Sequence, residues 1–201
     1  MGDTPDDTRG DEYTQRLVAL QSSWWKRFFR VQAPYRWNLR RLHLGFTLEL
    51  GCGIGRNLLN LDGNGVGIDH NGASVEAART RGLRAYTPEE FRASEYGGQA
   101  VFDSMLLSHL VEHMTEAEAR ELAGEYVTSV KPGGRLVVIT PQEVGYRSDA
   151  SHVRFVDFEA SAALCRALEA GVDRQFSFPF PRPVGHLFIY NEFVTVAHLP
   201  G

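Results

Sequence analysis

The chain has 201 residues, of which 43% are hydrophobic and 23% are charged, and this composition is typical of one soluble globular domain. Its net charge of −4 argues against nucleic acid as the main partner, and no apolar run approaches the roughly 20 residues that span a membrane. The two cysteines, Cys52 and Cys165, are too few for a disulfide framework and fit a reducing compartment, so we expect a cytoplasmic protein.

The amino-terminal region changes character at about residue 13. Residues 1–12 are polar and acidic without apolar periodicity, which predicts a disordered tail and differs from a signal or transit peptide. Residues 13–201 are predicted to form one domain, whose first part, 13–44, carries apolar residues at helical spacing. We expect Pro34 to interrupt this helix and a second short helix to follow over 35–44.

The segment 24–41 holds six aromatic and six basic residues and no acid. One interpretation is an amphipathic helix that packs its aromatic residues on the core and directs its arginines to water. The other is a lid in which Trp24, Trp25, Tyr35 and Trp37 contact a bound acceptor, because aromatic faces with interleaved donors suit a sugar. Stacking on RNA is a third option, which the overall acidity disfavours.

Beyond residue 44, short apolar strands alternate with helical stretches. Alternation of this kind indicates an α/β fold with a parallel, doubly wound sheet that is covered on both faces. Thr115 and Glu118 predict a capping box for the second helix, and Gly171 predicts a left-handed end for the third. The last two strands are separated by a Pro/Gly segment too short for a helix, so we expect an antiparallel pair at one edge. The predicted strands are 46–50, 66–69, 83–86, 102–107, 135–140, 174–178 and 192–197, and the helices are 74–81, 115–130 and 157–170.

A glycine-rich loop, LELGCGIGRN, directly follows the first predicted strand. Glycines at 51, 53 and 55 allow sharp turns and a close approach of the backbone to a ligand. Asp69 ends the second strand, where a carboxylate can accept both ribose hydroxyls of an adenosine ligand. A dinucleotide fingerprint would need glycine at position 56, which is Arg56, whereas Glu49 provides an acid just ahead of the loop.

Four segments, LELGCGIGRN, VGID, FDSMLLSHLVEHM and VKPGGRLVVITP, resemble in order and spacing the motifs of class I S-adenosylmethionine-dependent methyltransferases. The resemblance covers about residues 46–141 and implies a seven-stranded sheet whose last strand is antiparallel. It also implies that Gly51 and Gly53 line the methionine part of the cofactor, that Asp69 binds the ribose, and that 87–91 borders the adenine. The residues expected at the cofactor are Glu49, Gly51, Gly53, Asn57, Asp69, Thr87, Glu90 and Ser108.

A candidate metal site follows the fourth strand. His109, Glu112 and His113 have the spacing i, i+3, i+4, so one helical turn would present all three on one face. A Glu-His pair that only braces the loop is the alternative. The stretch resembles ubiquinone-pathway O-methyltransferases, which carry Glu, Glu and His at these spacings and use magnesium. His109 departs from that pattern, and imidazole suits manganese, zinc, cobalt or nickel better than magnesium.

The loop after the fifth strand, 141–154, is expected to overhang the same cleft. Glu143, Asp149 and His152 are candidates for a general base or further ligands, and a solvated polar loop is the alternative. We select His152 as the base, with His113 as the second catalytic candidate. A divalent ion would lower the pKa of an acceptor hydroxyl, so metal binding and O-methylation support each other.

As a whole, the chain resembles the small 1-O-methyltransferases of methylmannose polysaccharide synthesis, in length, in the aromatic segment, in SHLVEHM and in SDASHVRFVDF. This likeness implies a carbohydrate acceptor, the 1-hydroxyl of a partly methylated mannoside, whereas magnesium is implied by the resemblance to the ubiquinone-pathway enzymes. A quinone or phenol acceptor, a metal-free enzyme with a histidine base, and a non-catalytic cofactor-binding subunit are the alternatives. No nucleic-acid or membrane partner is expected, and a homodimer is one option for the assembly.

Overall fold

A computed structural model describes the backbone of residues 25–201 and the side chains from residue 33 onward. The predicted tail at 1–12, Trp24 and the Trp25 side chain therefore lie outside the described residues. Within the described part, no helix combines the length and apolar character needed to cross a membrane.

The described residues form seven strands and seven α-helices, with two short 3-10 helices between them. The helices are α1 (Trp25–Arg41), α2 (Arg56–Asn60), α3 (Gly72–Arg79), α4 (Pro88–Ala93), α5 (Glu116–Val127), α6 (Glu143–Arg147) and α7 (Phe158–Ala167). The strands are β1 (Thr47–Leu50), β2 (Gly65–Ile68), β3 (Ala85–Tyr86), β4 (Phe102–Ser108), β5 (Val130–Pro141), β6 (Gly171–Phe178) and β7 (Glu192–His198). The 3-10 helices span Val111–His113 and Arg182–His186.

All seven strands belong to one sheet in the order β3-β2-β1-β4-β5-β7-β6. The first five strands along the chain pair in parallel, and β7 runs antiparallel between β5 and β6. The predicted α/β, doubly wound, seven-stranded sheet is confirmed, including the antiparallel last strand. Because the parallel strands end together, the loops after β1, β2 and β4 meet at one edge.

Alternate residues of the central strands enter two separate cores, as the two-residue period of a strand requires. Leu136 and Val138 face a core shared with α4, α5 and α7, whereas Val137 and Ile139 face a core that contains Leu39 of α1. A further buried cluster joins α2 and α3 to the sheet. Helices on both faces thus bury the strands and leave the loops at the carboxyl edge for function.

Two local predictions are wrong. The helix α1 continues through Pro34, because the packing of the following turns on the sheet outweighs the roughly 3 kcal/mol cost of an internal proline. The chain leaves α7 through a left-handed Glu169, with φ 60°, while Gly171 starts β6. The capping box of Thr115 and Glu118 is present as predicted.

Candidate active site

The glycine loop after β1 needs glycine for two different reasons. Gly51 and Gly53 have φ angles of 68° and 52°, in the left-handed region that residues with a side chain rarely adopt. A Cβ at Gly51 would come within 2.7 Å of Leu110, whereas a Cβ at Gly53 would meet nothing within 4 Å. The loop is thus packed on one side and open on the other, as a backbone cradle for a ligand requires.

Asp69 follows β2 and faces this loop. Its Oδ2 accepts a hydrogen bond from the Gly53 N–H at 2.7 Å, and its Oδ1 accepts one from the Asn71 N–H at 2.9 Å. Only 10% of its side chain is exposed. Each oxygen keeps a further lone pair, so the fixed carboxylate fits the two ribose hydroxyls of the cofactor.

A pocket of about 290 Å³ lies between the glycine loop and the end of β4. It brings together the predicted residues Gly51, Gly53 and Asp69, and both His109 and His113 also line it. Of its remaining walls, Pro88 belongs to the segment 87–91 that was predicted to border the adenine, and the others were not predicted, although the carboxyl ends of β2 and β4 indicated where to look. These walls are formed by Leu50, Ile68, His70, Asn71, Ser74, Pro88, Leu110, Met114, Leu122 and Tyr126.

Glu49 and Asn57 lie beneath the loop and do not line the pocket. The Asn57 side-chain amide donates to Glu49 Oε1 at 2.7 Å, whereas Glu49 Oε2 is buried without a hydrogen-bond partner. Burial raises the pKa of Glu49 to about 8 despite the Asn57 contact. Ser108 is 9% exposed and is likewise not among the pocket residues.

The predicted adenine segment forms the start of α4. Thr87 and Glu90 make a reciprocal capping box, and the Glu90 carboxylate also binds Arg79, with 2.7 Å between Nη2 and Oε2. Thr87 and Glu90, which were predicted at the cofactor, thus use their polar atoms to stabilise the helix start and do not line the pocket. Their neighbour Pro88 is the residue of this segment that lines the pocket.

Beside the pocket, Glu112, His113 and His152 place one ligand atom each within 4.8 Å of one another. Glu112 is fully buried, and neither of its carboxylate oxygens has a hydrogen-bond partner. Buried carboxylates are normally hydrogen-bonded or bound to a metal. One carboxylate and two imidazoles form a donor set that fits a divalent ion.

His109, the third residue of the predicted trio, lies outside this cluster. The chain is left-handed at His109, with φ 53°, so the single helical turn expected over 109–113 does not form. Its Nε2 lies 2.8 Å from Glu192 Oε1, and its Nδ1 lies 3.4 Å from Glu112 Oε1. Burial opposes the charged ring, but the two carboxylates prevail and raise the pKa of His109 to about 10.

His113 and His152 each use one ring nitrogen for orientation. His152 Nδ1 lies 2.7 Å from the Tyr146 carbonyl, and His113 Nδ1 lies 3.1 Å from Ser151 Oγ. The remaining nitrogen, Nε2, is left for a ligand or a proton. Burial lowers the pKa of His113, so this ring is neutral at physiological pH.

The other candidates in the loop after β5 are engaged elsewhere. Arg182 binds the Glu143 carboxylate in a bidentate pair, which removes Glu143 as a base. Asp149 accepts hydrogen bonds from the Ser151 N–H and hydroxyl at 2.9 and 2.7 Å, so it shapes the turn beside His113.

The α1 helix reaches this region through Tyr35. Its hydroxyl donates to the Tyr190 carbonyl at 2.5 Å, and its ring packs edge-on against Phe178. Burial and the nearby Glu192 raise the pKa of Tyr35 above its usual range. Leu39 and Leu42 of the same segment are buried in the core. The carboxyl end of this segment is therefore part of the hydrophobic core. Tyr35, earlier in the segment, lies near the Glu192–His109 pair.

Residues 48–138 match a family model described as a methyltransferase domain. Comparison with curated proteins yields no match. The structure is similar to a SAM-dependent methyltransferase from Archaeoglobus fulgidus, with 17% identity, a TM-score of 0.64, and 82% and 92% of the two chains covered. It also resembles the N-methyltransferase NodS from Bradyrhizobium japonicum, with 15% identity, a TM-score of 0.59, and coverage of 83% and 95%.

A third similar structure is an O-methyltransferase family protein from Burkholderia thailandensis, with 16% identity and a TM-score of 0.67. The match covers 97% of this chain and 64% of that one. These neighbours include both N- and O-methyltransferases, so the shared fold does not select the acceptor atom. The family match covers the glycine loop and the central strands, and together with the sheet order it shows that the chain has the class I methyltransferase fold.

Proposed function

We propose that the protein transfers the methyl group of S-adenosylmethionine to a sugar hydroxyl, the 1-hydroxyl of a partly methylated mannoside. We further propose that a divalent ion held by Glu112, His113 and His152 assists the reaction. The observation that carries this proposal is the fully buried Glu112 carboxylate, which has no hydrogen-bond partner and lies beside two imidazoles at the pocket.

The donor set bears on the identity of the ion. Magnesium prefers oxygen ligands, whereas two imidazoles and one carboxylate suit manganese, zinc, cobalt or nickel. The magnesium implied by the family resemblance is thus the less favoured choice for these residues. When bound, a divalent ion would supply the Lewis acidity that lowers the pKa of an acceptor hydroxyl.

The side chains and backbone of this protein would bind the donor and orient the reacting groups. Asp69 and the glycine loop hold the donor, and this positions the sulfonium methyl group for an in-line transfer. Tyr146 stacks on His152, with ring centres 5.3 Å apart, and thereby fixes the direction of that imidazole. Without an ion, the Nε2 atom of His113 or His152 would instead accept the proton that the acceptor hydroxyl loses as its oxygen forms the new bond to the methyl carbon, because one nitrogen cannot hold an ion and a proton together.

A metal-free enzyme is the second candidate. The lowered pKa of His113 favours it, because a neutral buried imidazole can act as a general base without an ion. In that case Glu112 would orient the loop and would not bind a metal. A phenol or quinone acceptor also remains compatible with the site, since a more acidic hydroxyl needs less activation.

The acceptor can be tested with methyl-labelled S-adenosylmethionine and three compounds: 3-O-methylmannose, its 1-O-methyl glycoside and a catechol. We expect label in 3-O-methylmannose alone, because the glycoside blocks the proposed position. Label in the catechol alone would support the phenol alternative, and equal labelling of the glycoside would contradict the 1-hydroxyl assignment.

The metal can be tested in the same assay. Exhaustive chelation should abolish transfer while calorimetry shows intact cofactor binding, and added manganese or zinc should restore activity better than magnesium. Added metal should not restore the activity of the variant His152→Asn after chelation. It should restore the activity of the control His198→Asn, which changes a remote exposed histidine. Full activity after chelation would support the metal-free alternative.

A further inference from the structure

A second polar cluster lies at the outer edge of the sheet. Arg41, near the end of α1, places its guanidinium carbon 4.5 Å from the ring centre of Trp37 and 4.8 Å from that of Phe176. Arg174, on the edge strand β6, lies 5.5 Å from the same Phe176 ring. Two guanidinium groups therefore share one aromatic ring, and we call Trp37, Arg41, Arg174 and Phe176 the edge cluster.

The two arginines of the edge cluster lack acidic partners within residues 33–201, where side chains are described. This contrasts with Arg36 and Arg40 on the same helix, which lie 3.1 and 2.6 Å from Asp62. The side-chain hydrogen bond of Arg41 runs from Nε to Asn38 at 3.0 Å. Burial and the nearby Arg174 lower the pKa of Arg41, as expected for two like charges held together.

Stacking fixes the orientation of the Arg41 guanidinium, and no acceptor within residues 33–201 binds its terminal N–H groups. A planar guanidinium that is already held in one orientation loses little further conformational entropy when it binds a ligand. Its terminal N–H groups can then donate two parallel hydrogen bonds to an oxyanion. Trp37 stacks on Phe178 at 6.1 Å and still exposes 56% of its surface. An accessible flat indole thus lies beside the Arg41 guanidinium, and Arg174 lies on the neighbouring Phe176 ring, in a chain whose net charge is −4.

We propose that the edge cluster binds a phosphate monoester carried on a flat ring. A phosphate monoester carries a charge of roughly −1.5 to −2 and three acceptor oxygens, so it suits two guanidinium groups that share the Phe176 ring better than a single carboxylate would. The ring of the ligand would stack on Trp37. The site is separate from the methyl-transfer pocket, since none of the cluster residues lines that pocket.

The site can be tested with phenyl phosphate as the probe, by calorimetry on the full chain without cofactor or acceptor. We expect Arg41→Gln and Arg174→Gln each to weaken binding about tenfold or more, as loss of a charge-assisted contact predicts. The matched control is Arg40→Gln on the same helix, which should bind as the unmodified protein does. Trp37→Ala should reduce phenyl phosphate binding to the level of inorganic phosphate.

Several outcomes would overturn the proposal. Absence of binding at millimolar phenyl phosphate would do so, and so would an equal loss in Arg40→Gln. Arg174 is exposed on the edge strand, so Arg174→Gln keeps the test valid even if Arg41→Gln unfolds. Because the assay contains no methyl donor, its result is independent of the proposed methyl transfer.

Discussion

The Asp69 carboxylate accepts a hydrogen bond from the backbone N–H of Gly53, 16 residues earlier in the chain, with 2.7 Å between the atoms. This bond joins the end of β2 to the glycine loop after β1. It fixes both the carboxylate that would bind the ribose and the backbone that would lie against the cofactor. The two motifs are thus one structural unit.

Asp69→Asn should weaken binding of S-adenosylhomocysteine at least tenfold, because each charge-assisted hydrogen bond contributes about 1.5–3 kcal/mol. Calorimetry measures the change directly. Asp62→Asn, an exposed position on the other side of α2, is the matched control and should bind normally. Unchanged affinity in Asp69→Asn would mean that the ribose is held by other residues.

Glu112→Gln should separate a metal ligand from a loop brace. The Glu112 carboxylate is buried without a hydrogen bond and has only the His109 ring, 3.4 Å away, as an ion-pair neighbour, so the variant should melt at or above the temperature of the unmodified protein in chelator. Manganese should stabilise the unmodified protein but leave Glu112→Gln unchanged. Glu116→Gln, on the exposed start of α5, should respond like the unmodified protein. A lower melting temperature for Glu112→Gln in chelator would favour the brace.

Tyr35→Phe should distinguish a lid from a purely structural segment. The change removes the hydrogen bond to the Tyr190 carbonyl, at a cost of about 1 kcal/mol in unfolding free energy. If α1 borders the acceptor, the KM for acceptor should rise severalfold while the Kd for cofactor stays constant. Steady-state kinetics and calorimetry supply the two values, and a normal KM for acceptor would contradict the lid interpretation.

Glu49→Gln should change the pH dependence of stability. Burial raises the pKa of Glu49 to about 8 in the folded chain, above its ordinary value near 4.5. Its contribution to folding is therefore fully present below pH 4.5 and is lost as the pH rises through 8. Melting temperatures between pH 5 and 9 should show Glu49→Gln gaining stability relative to the unmodified protein. A pH-independent difference, like that expected for the exposed Glu121→Gln, would contradict the raised pKa.

The sequence predicted the parts of the site that depend on short, local patterns. Glycines at 51 and 53 and the acid at 69 follow predicted strands, and parallel strands must end at one edge, so their meeting followed from the fold. Helix caps such as Thr115 were equally predictable, because a capping box involves residues only three apart.

Tertiary structure decided the composition of the histidine cluster. His109 has helical spacing from Glu112, but a left-handed backbone and the distant Glu192 hold its ring between the two carboxylates, away from His113 and His152. His152 enters from the loop after β5, some 40 residues further along the chain, because the Tyr146 carbonyl orients its ring. Spacing along a chain specifies neighbours within one element. Which side chains meet between elements depends on loop conformation and on competing long-range partners, and only the folded structure determines those.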